Sequence, residues 1–449
     1  MFKRVLIANR GEIALRIIKS CKRMGIETCI VHSTVDRESL PVKFADMAVC
    51  IGPGPAKQSY LNINNIIAAA ELADVDAIHP GFGFLSENSH FAQVVRDCKI
   101  EFIGPLSASM EALGNKAKAK TLAKESGVPT VPGSTGPVTG PDEAIKLARQ
   151  IGYPVMIKAT AGGGGRGMRI AHNDASLVSG LISAQREAES AFGNADCIIE
   201  AYVQRARHIE IQIIGDQQGN VIALGDRDCS TQRRHQKLVE ESPSPVITAE
   251  MRQNMMADAV KLAKAAKYFN AGTVEFIYDL DRAAYYFLEM NTRIQVEHPV
   301  TEMCTDTDLI RMQLEVAAGM PLALTQAQVK PYGHALEVRI NAEDWQNGFA
   351  PCPGKIGIYS APSGKNIRVD SHCYAGYMIP PNYDSMIAKL IVHGTDRADA
   401  IRLMDQALHE YVIEGVKTTI GFHQRLLKDA RFLNNEVTTK FVDESFFKV

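Results

Sequence analysis

The chain has 449 residues, enough for two to four domains at roughly 100 to 200 residues each. Its 46% apolar and 22% charged content, with ordinary use of Gly and Pro, excludes fibrous, low-complexity and disordered classes. Lys and Arg number 49 against 51 Asp and Glu, a net charge of −2, so no global positive field exists to hold a nucleic acid or an acidic membrane surface. Any nucleotide must be held by a local pocket.

Nowhere do about 18 apolar residues run without a charge, so no membrane span is expected. The nine cysteines stand singly, with no Cys-x-x-Cys pair and an odd total, which speaks against a disulfide framework or a zinc ribbon and predicts a reducing compartment. The apolar run Val5 to Ala8 is too short for a signal peptide and reads as a first β-strand.

From residue 3 to about 110, short β-branched runs alternate with amphipathic stretches: Arg4 to Ala8, then Glu12 to Met24, then Glu27 to His32, with Ala68 to Ala73 before Ala77 to His79 and Phe91 to Cys98 before Glu101 to Ile103. This alternation predicts right-handed βαβ units and a mostly parallel sheet. The first turn, Ala8-Asn9-Arg10-Gly11-Glu12, lacks the three spaced glycines of a dinucleotide fingerprint, so NAD is not assigned to it. A helix is expected over Asn115 to Ser126, and the Pro- and Gly-rich stretch 129–141 marks a domain boundary nearby. Residues 142–202 form a smaller segment that reads as a lid. Strands are expected over His208 to Ile214, Val221 to Asp226, Thr273 to Tyr278 and Tyr285 to Asn291, with a helix over Ala249 to Lys267. From 331 onward, short strands and one late helix, Arg397 to Tyr411, read as an α+β cap.

Three stretches carry chemistry. In Val155-Met156-Ile157-Lys158-Ala159-Thr160-Ala161 followed by Gly162 to Gly165, Arg166, Gly167 and Met168, a strand ends in a lysine and a glycine-rich loop follows. Glycines let backbone N–H groups approach an anion, and Lys158 and Arg166 add charge, so the stretch suits a phosphate; the alternative is a flexible hairpin. Its spacing is not that of the standard P-loop.

The second stretch runs from Gly272 through Glu275 to Tyr278, then from Tyr285 through Glu289 to Asn291. A hairpin centred on Arg282 places Glu275 opposite Glu289, with Asn291 on the same face. Facing carboxylates repel unless a cation lies between them, and hard oxygen donors suit Mg²⁺ or Mn²⁺; the alternative is a solvated strand face. The period of two continues through Arg293, Gln295 and Glu297, so an extended strand would aim all three at the same cavity. A guanidinium suits a carboxylate or bicarbonate and a neighbouring glutamate can act as a base; the alternative is a surface ion pair between Arg293 and Glu297. The third stretch, Asp226 to Lys237, gathers basic and amide groups at a strand end, where His235 taken alone reads as structural and the basic run as a solvated turn.

Together these stretches resemble the biotin carboxylase family of the ATP-grasp superfamily. Ile7 to Ala14, His79 to Asn88, Arg233 to Lys237 and Glu289 to Glu302 look like its signatures, in order and across almost the whole chain. The resemblance implies an α/β and α+β multidomain fold: an N-terminal Rossmann-like domain over 1–114, an ATP-grasp domain over 115–330 with a mobile lid at about 131–203, and a C-terminal α+β domain over 331–449. ATP would lie between lid and body. By similarity Lys116, Lys158, Gly164, Gly165, Met168, His208, Gln232 and His235 would contact ATP, Glu200, Ala201, Tyr202 and Val203 would receive adenine, and Glu275, Glu289 and Asn291 would hold two divalent ions. Lys237, Arg293, Gln295, Val296 and Glu297 would bind bicarbonate, with Glu297 its base, and Arg339 and Phe82 would meet biotin, Arg339 stabilising its enolate.

The implied reaction is ATP- and bicarbonate-dependent carboxylation of biotin through carboxyphosphate, with Arg293, Glu297, Lys237 and Arg339 catalytic. No Ala-Met-Lys-Met, nor any Met-Lys dipeptide, occurs, so the biotin is expected on a separate carboxyl carrier protein. Carboxyltransferase subunits and a homodimer are expected partners, nucleic acid and membrane are not, and the setting is a bacterial cytoplasm or a plastid stroma. The chain looks like the biotin carboxylase subunit of a multisubunit acetyl-CoA carboxylase, feeding malonyl-CoA and fatty acid synthesis; the corresponding subunit of another acyl-CoA or pyruvate carboxylase is the alternative. An ATP-grasp carboxylate–amine ligase and a catalytically silent nucleotide-binding partner are the remaining rivals. The chain departs from common family usage at Phe82, where a Tyr is frequent, at Ala161, which shortens the glycine run, and at Ala201 beside the adenine.

Overall fold

The computed structural model describes residues 1–160, 168–192 and 194–446. Its chain divides into two compact units, one of Met1–Val128, Arg207–Ile277 and Glu289–Val449, the other of Pro129–Ala206 and Tyr278–Leu288.

The first unit opens with β1 (Arg4–Ile7), α1 (Gly11–Arg23), β2 (Glu27–Ser33), β3 (Met47–Gly52), α2 (Ile63–Leu72), β4 (Ala77–His79), α3 (Ser89–Asp97) and β5 (Glu101–Phe102). The strands form one parallel sheet in the order β3-β2-β1-β4-β5. Both faces of β1 are covered: Val5 and Ile7 pack with Ile13, Ile17 and Ile18 of α1, while Leu6 and Ala8 pack with Ile66 and Ala70 of α2 and Phe91 of α3. A run apolar on every residue is what a parallel strand buried on both sides requires. The helix expected from Ala68 begins at Ile63, because the Asn62 side chain caps it by accepting from the Asn65 N–H. Two helices follow, α4 (Ser107–Gly114) and α5 (Lys116–Glu125), the latter capped by Asn115.

The second unit holds α6 (Pro141–Ile151), β6 (Val155–Ala159), β7 (Met168–Ala171), α7 (Asp174–Phe192) and β8 (Cys197–Ala201), with the sheet order β7-β6-β8, antiparallel throughout. Val155, Ile157 and Ile199 pack with Ala144 and Ala148 of α6 and Leu177 and Leu181 of α7. Lys158 alternates with them and points to the face opposite these helices.

An eight-stranded sheet follows from β9 (Ala206–Gly215), β10 (Val221–Arg233), β11 (Gln236–Ser242), β12 (Asn270–Asp279) and β13 (Ala284–Asn291), with α8 (Ala249–Ala265) between β11 and β12. After α9 (His298–Thr305) and α10 (Leu309–Ala317), the sheet is completed by β14 (His334–Asn341), β15 (Ile367–Ser371) and β16 (Met386–Gly394), with α11 (Arg397–Glu410) behind it. Its order is β13-β12-β9-β10-β11-β14-β16-β15, so strands on both sides of residue 331 share one sheet. On β14, Leu336, Val338 and Ile340 bury against Leu390 and Val392 of β16 and Met404 of α11, which turns Glu337 and Arg339 to the opposite face.

Two expectations change here. The strand expected to stop at Asp226 runs on to Arg233 and pairs with β11, so the basic stretch is a hairpin whose turn residues, Arg234 and His235, have φ of 46° and 67°. The extended strand expected through Glu297 ends at Asn291. Pro299 lies in the first turn of α9 and fixes a helical φ there, while Thr292 N–H bonds Glu87 Oε1 and His298 Nδ1 lies 2.8 Å from the Gln295 carbonyl, so the chain bends and Glu297 becomes the N-cap residue of α9.

Candidate active site

The site is built on the polar face of the eight-stranded sheet. On β9, His208, Glu210 and Gln212 alternate with Ile209, Ile211 and Ile213, so all three polar side chains share one face. Arg227 of β10, wholly buried, donates to Glu210 Oε1 at 2.6 Å, Gln212 Oε1 at 2.7 Å and the hydroxyls of Thr273 and Thr301 at 3.0 Å. With four of its five donors engaged, this guanidinium fixes Glu210.

Lys237, near the start of β11, is the hub. Its Nζ lies 2.7 Å from Glu210 Oε2, 2.6 Å from Glu297 Oε1 and 3.3 Å from Glu275 Oε1. Burial alone would lower this ammonium, but Glu210, Glu297 and Glu275 raise it well above the ordinary lysine range. Burial and Glu210 push Glu297 up, yet Lys237, Arg339 and Arg227 outweigh them and hold the carboxyl below its usual value. Arg339 Nη2 reaches Glu297 Oε2 at 2.9 Å, and its Nε reaches Glu240 Oε1 at 2.7 Å. Glu275 meets His208 Nε2 at 2.9 Å and accepts from Asn291 Nδ2 at 2.7 Å and Gln295 Nε2 at 3.1 Å. Burial raises Glu275, while His208 and Lys237 lower it further than burial raises it. His208 would be lowered by burial and is instead raised by Glu275.

The bend after Asn291 brings its residues to the same place by another route than alternation. Arg293 donates from Nη1 to Gln295 Oε1 at 2.9 Å and from Nη2 to Asn291 Oδ1 at 3.3 Å, and its Nε meets Glu87 Oε2 at 2.9 Å. The ion pair considered between Arg293 and Glu297 does not form; each has another partner. Val296 is half-buried and its carbonyl accepts from Lys389 Nζ at 2.7 Å.

The other expected residues lie as follows. Lys116, at the first position of α5, has its Nζ 3.5 Å from Glu289 Oε2, both side chains being accessible. Gln232 is buried on β10 opposite Lys237, and His235 is exposed at the hairpin turn. Phe82 packs against the core that includes Ile13 and Ile17; its loop is held by Asn9 Nδ2, which donates to the Pro80 and Phe82 carbonyls at 2.6 and 2.7 Å. Gly81 in that loop has φ +62°, and a Cβ there would stand 2.8 Å from Asn9 Nδ2, so the close approach needs glycine. In the second unit, Lys158 Nζ pairs with Glu200 Oε2 at 2.6 Å, and Lys158 faces Met168 on β7 in register. Ala201 and Val203 are buried, and Tyr202 N–H bonds the Pro154 carbonyl. Gly164 and Gly165 lie outside the described residues.

Sequence reasoning passed over Glu87, Glu210, Arg227, Glu240, Glu337 and Lys389. The alternation His208-x-Glu210-x-Gln212 in a strand of isoleucines was the available signal for Glu210. Glu87, far away in sequence, lay inside the His79 to Asn88 stretch that carries the family resemblance, with no local pattern tying it to Arg293. Among the described residues all nine cysteines are free, and no helix is long and apolar enough to cross a membrane.

Family descriptions match nearly the whole chain: "Biotin carboxylase, N-terminal domain" over residues 1–110, "Carbamoyl-phosphate synthase L chain, ATP binding domain" over 115–325 and "Biotin carboxylase C-terminal domain" over 337–444. The chain is 54% identical to biotin carboxylase 1 of Bacillus subtilis over 443 residues, covering 99% of this chain and 98% of that one. The chain belongs to the biotin carboxylase family. Its class is therefore that of an ATP-grasp ligase, and the multidomain α/β fold expected from the sequence holds. A solved complex of Campylobacter jejuni biotin carboxylase with β,γ-ATP superposes with TM-score 0.91 at 48% identity, covering 99% of each chain. The biotin carboxylase domain dimer of Hydrogenobacter thermophilus 2-oxoglutarate carboxylase, in complex with MgADP, ADP and bicarbonate, superposes with TM-score 0.89 at 48% identity, covering 99% of this chain and 98% of that one.

Proposed function

We propose that this chain carboxylates biotin carried on a separate carrier protein, using ATP and bicarbonate, as the first half-reaction of an acetyl-CoA carboxylase. The carrying observation is the contact of Glu297 with both Lys237, at 2.6 Å, and Arg339, at 2.9 Å: one buried carboxylate held ionised between two cations. Lys237 and Arg293 would hold bicarbonate, with Gln295 and the Val296 backbone beside it. As the anion arrives, Lys237 divides its charge between the anion and Glu297, so the carboxylate gains basicity when there is a proton to take. The deprotonated bicarbonate attacks the γ-phosphorus of ATP, and carboxyphosphate and ADP result. Carboxyphosphate yields CO₂ and phosphate, the phosphate takes the ureido proton of biotin, and Arg339 stabilises the enolate that attacks CO₂.

Glu275, Glu289 and Asn291 offer two carboxylates and an amide oxygen, a donor set suited to Mg²⁺ or Mn²⁺, which when bound would neutralise the phosphates. Lys116, His208, Gln232, His235 and, in the second unit, Lys158 and Met168 are the residues we assign to ATP, with Glu200 to Val203 for adenine and Gly164 and Gly165 as the phosphate loop. The domain bounds we propose are 1–114, 115–330 with the lid at about 131–203, and 331–449. One relative whose domain is a dimer, and others that are part of a larger carboxylase or chloroplastic, support a homodimer working with a carrier and carboxyltransferase subunits, in a bacterial cytoplasm or plastid stroma.

The H. thermophilus 2-oxoglutarate relative and a pyruvate carboxylase subunit at 48% identity favour, as a second reading, the same half-reaction serving another acceptor. Radiolabel from bicarbonate entering the carrier protein, followed by transfer to acetyl-CoA or to a 2-oxo acid on adding each transferase, separates the two. No label in the carrier would overturn both.

A further inference from the structure

Behind Arg339, two glutamates face each other across the sheet. Glu240 of β11 and Glu337 of β14 are register partners in an antiparallel pair, and both are wholly buried. Side chains so opposed have Cβ atoms roughly 5 Å apart. Glu240 Oε1 is held by Arg339, but Glu240 Oε2 and both oxygens of Glu337 have no hydrogen-bond partner. Lys389, a cation facing Glu337, is directed elsewhere: its Nζ bonds the Val296 carbonyl and lies 3.1 Å from Glu12 Oε1.

Two buried carboxylates side by side, one with no donor at all, cannot both be ionised; one proton between them gives Glu337 a hydroxyl to donate and gives Glu240 Oε2 its missing donor. We propose that Glu240 and Glu337 share one proton and that this neutral-plus-ionised pair positions Arg339 against Glu297, making Glu337 a positioning residue for the carboxylation reaction. This rests on the role given to Arg339 and Glu297 above. Were both members ionised, the pair would draw Arg339 toward Glu240 and leave Glu297 with Lys237 alone.

Cations and an anion both face the pair. Arg339 and Lys389 face it as cations from β14 and β16, and Lys237 from β11; Glu297 faces it as an anion from the start of α9. Cys229 of β10 and His298 of α9 are both driven to their neutral forms by burial. Burial raises Glu240 to about 7, with Arg339 opposing and Glu297 assisting, and raises Glu337 well above the carboxylate range, with Lys389 opposing and Glu240 assisting. Sharing one proton, the pair would titrate as a unit.

The test is Glu337→Gln, an isosteric group that donates to Glu240 and cannot ionise. The alkaline limb of kcat/KM for bicarbonate, assayed with Mg-ATP and free biotin, is expected to move to higher pH while kcat at pH 7 stays within about twofold. A second, activity-independent reading is infrared: the wild-type chain is expected to keep a protonated-carboxyl band at about pH 6, where exposed Asp and Glu are ionised, and to lose it on raising the pH. Glu337→Gln weakens that band, leaving the share of Glu240 and Glu12, which burial also raises. Absence of the band in wild type, or a variant whose pH profile superimposes on wild type, would overturn the proposal. A wild type with no bicarbonate-dependent turnover would instead defeat the carboxylation reading, and the band would still decide whether the pair shares a proton.

Discussion

Lys237 Nζ lies 2.6 Å from Glu297 Oε1 in a setting where the carboxylate is wholly buried and the lysine nearly so. That ammonium also serves Glu210 and Glu275, so one cation balances three carboxylates together with Arg227, Arg339 and His208. Removing Lys237 would therefore leave uncompensated buried charge, which costs about 3–5 kcal/mol for a broken buried pair.

The Lys237→Gln variant is expected to raise the Glu297 carboxyl toward its ordinary value, because Lys237 is the foremost of the groups lowering it. The acid limb of kcat/KM for bicarbonate then shifts to higher pH. A pH–rate profile of the variant against wild type measures this; an unmoved acid limb would mean that Lys237 does not govern Glu297.

Replacing Glu297 by Gln keeps the shape and one of the two acceptor contacts, to Lys237 or to Arg339, while removing the base. Bicarbonate-dependent ADP release is expected to fall by about 10²–10⁴-fold with ATP affinity retained. Steady-state kinetics beside a nucleotide-binding titration check it.

For Glu289→Gln, one of three hard oxygen donors loses its charge, so the Mg²⁺ concentration for half-maximal turnover is expected to rise about tenfold or more, and a chelator should abolish turnover of the wild type. An unchanged Mg²⁺ dependence would take Glu289 out of the ion site.

Glu241 meets His334 at 2.9 Å and Arg397 at 2.7 Å, and although burial raises it, those partners lower it to about 2 from an ordinary value of 4.5. A depressed carboxyl stabilises the fold above its unfolded-state value and loses that contribution as pH falls through the folded one. The stability gap between wild type and Glu241→Gln should therefore be full above about pH 5, a few kcal/mol, and shrink toward about pH 2. Denaturant midpoints across that range show it.

The βαβ alternation was legible because β1 and its neighbours are buried on both faces, and the acidic hairpin because Glu275 and Asn291 are on strands with a period of two. Arg293 to Glu297 were singled out by that same period, yet they converge through a bend closed by Pro299 and by the contacts of Arg293 itself. Alternation names the residues of a strand and is blind to where the strand ends. Glu87, Glu240 and Glu337 act through partners distant in sequence: Glu240 meets Glu337 only because β11 and β14 pair across nearly a hundred intervening residues. Such pairing depends on sheet order, which local sequence does not encode.

The most direct measurement of the central claim is ADP release by the purified chain with Mg-ATP, with and without bicarbonate and free biotin. Release that requires bicarbonate and rises with biotin is the expected result. Release indifferent to bicarbonate would contradict it and leave Lys237, Arg293 and Glu297 without the substrate assigned to them.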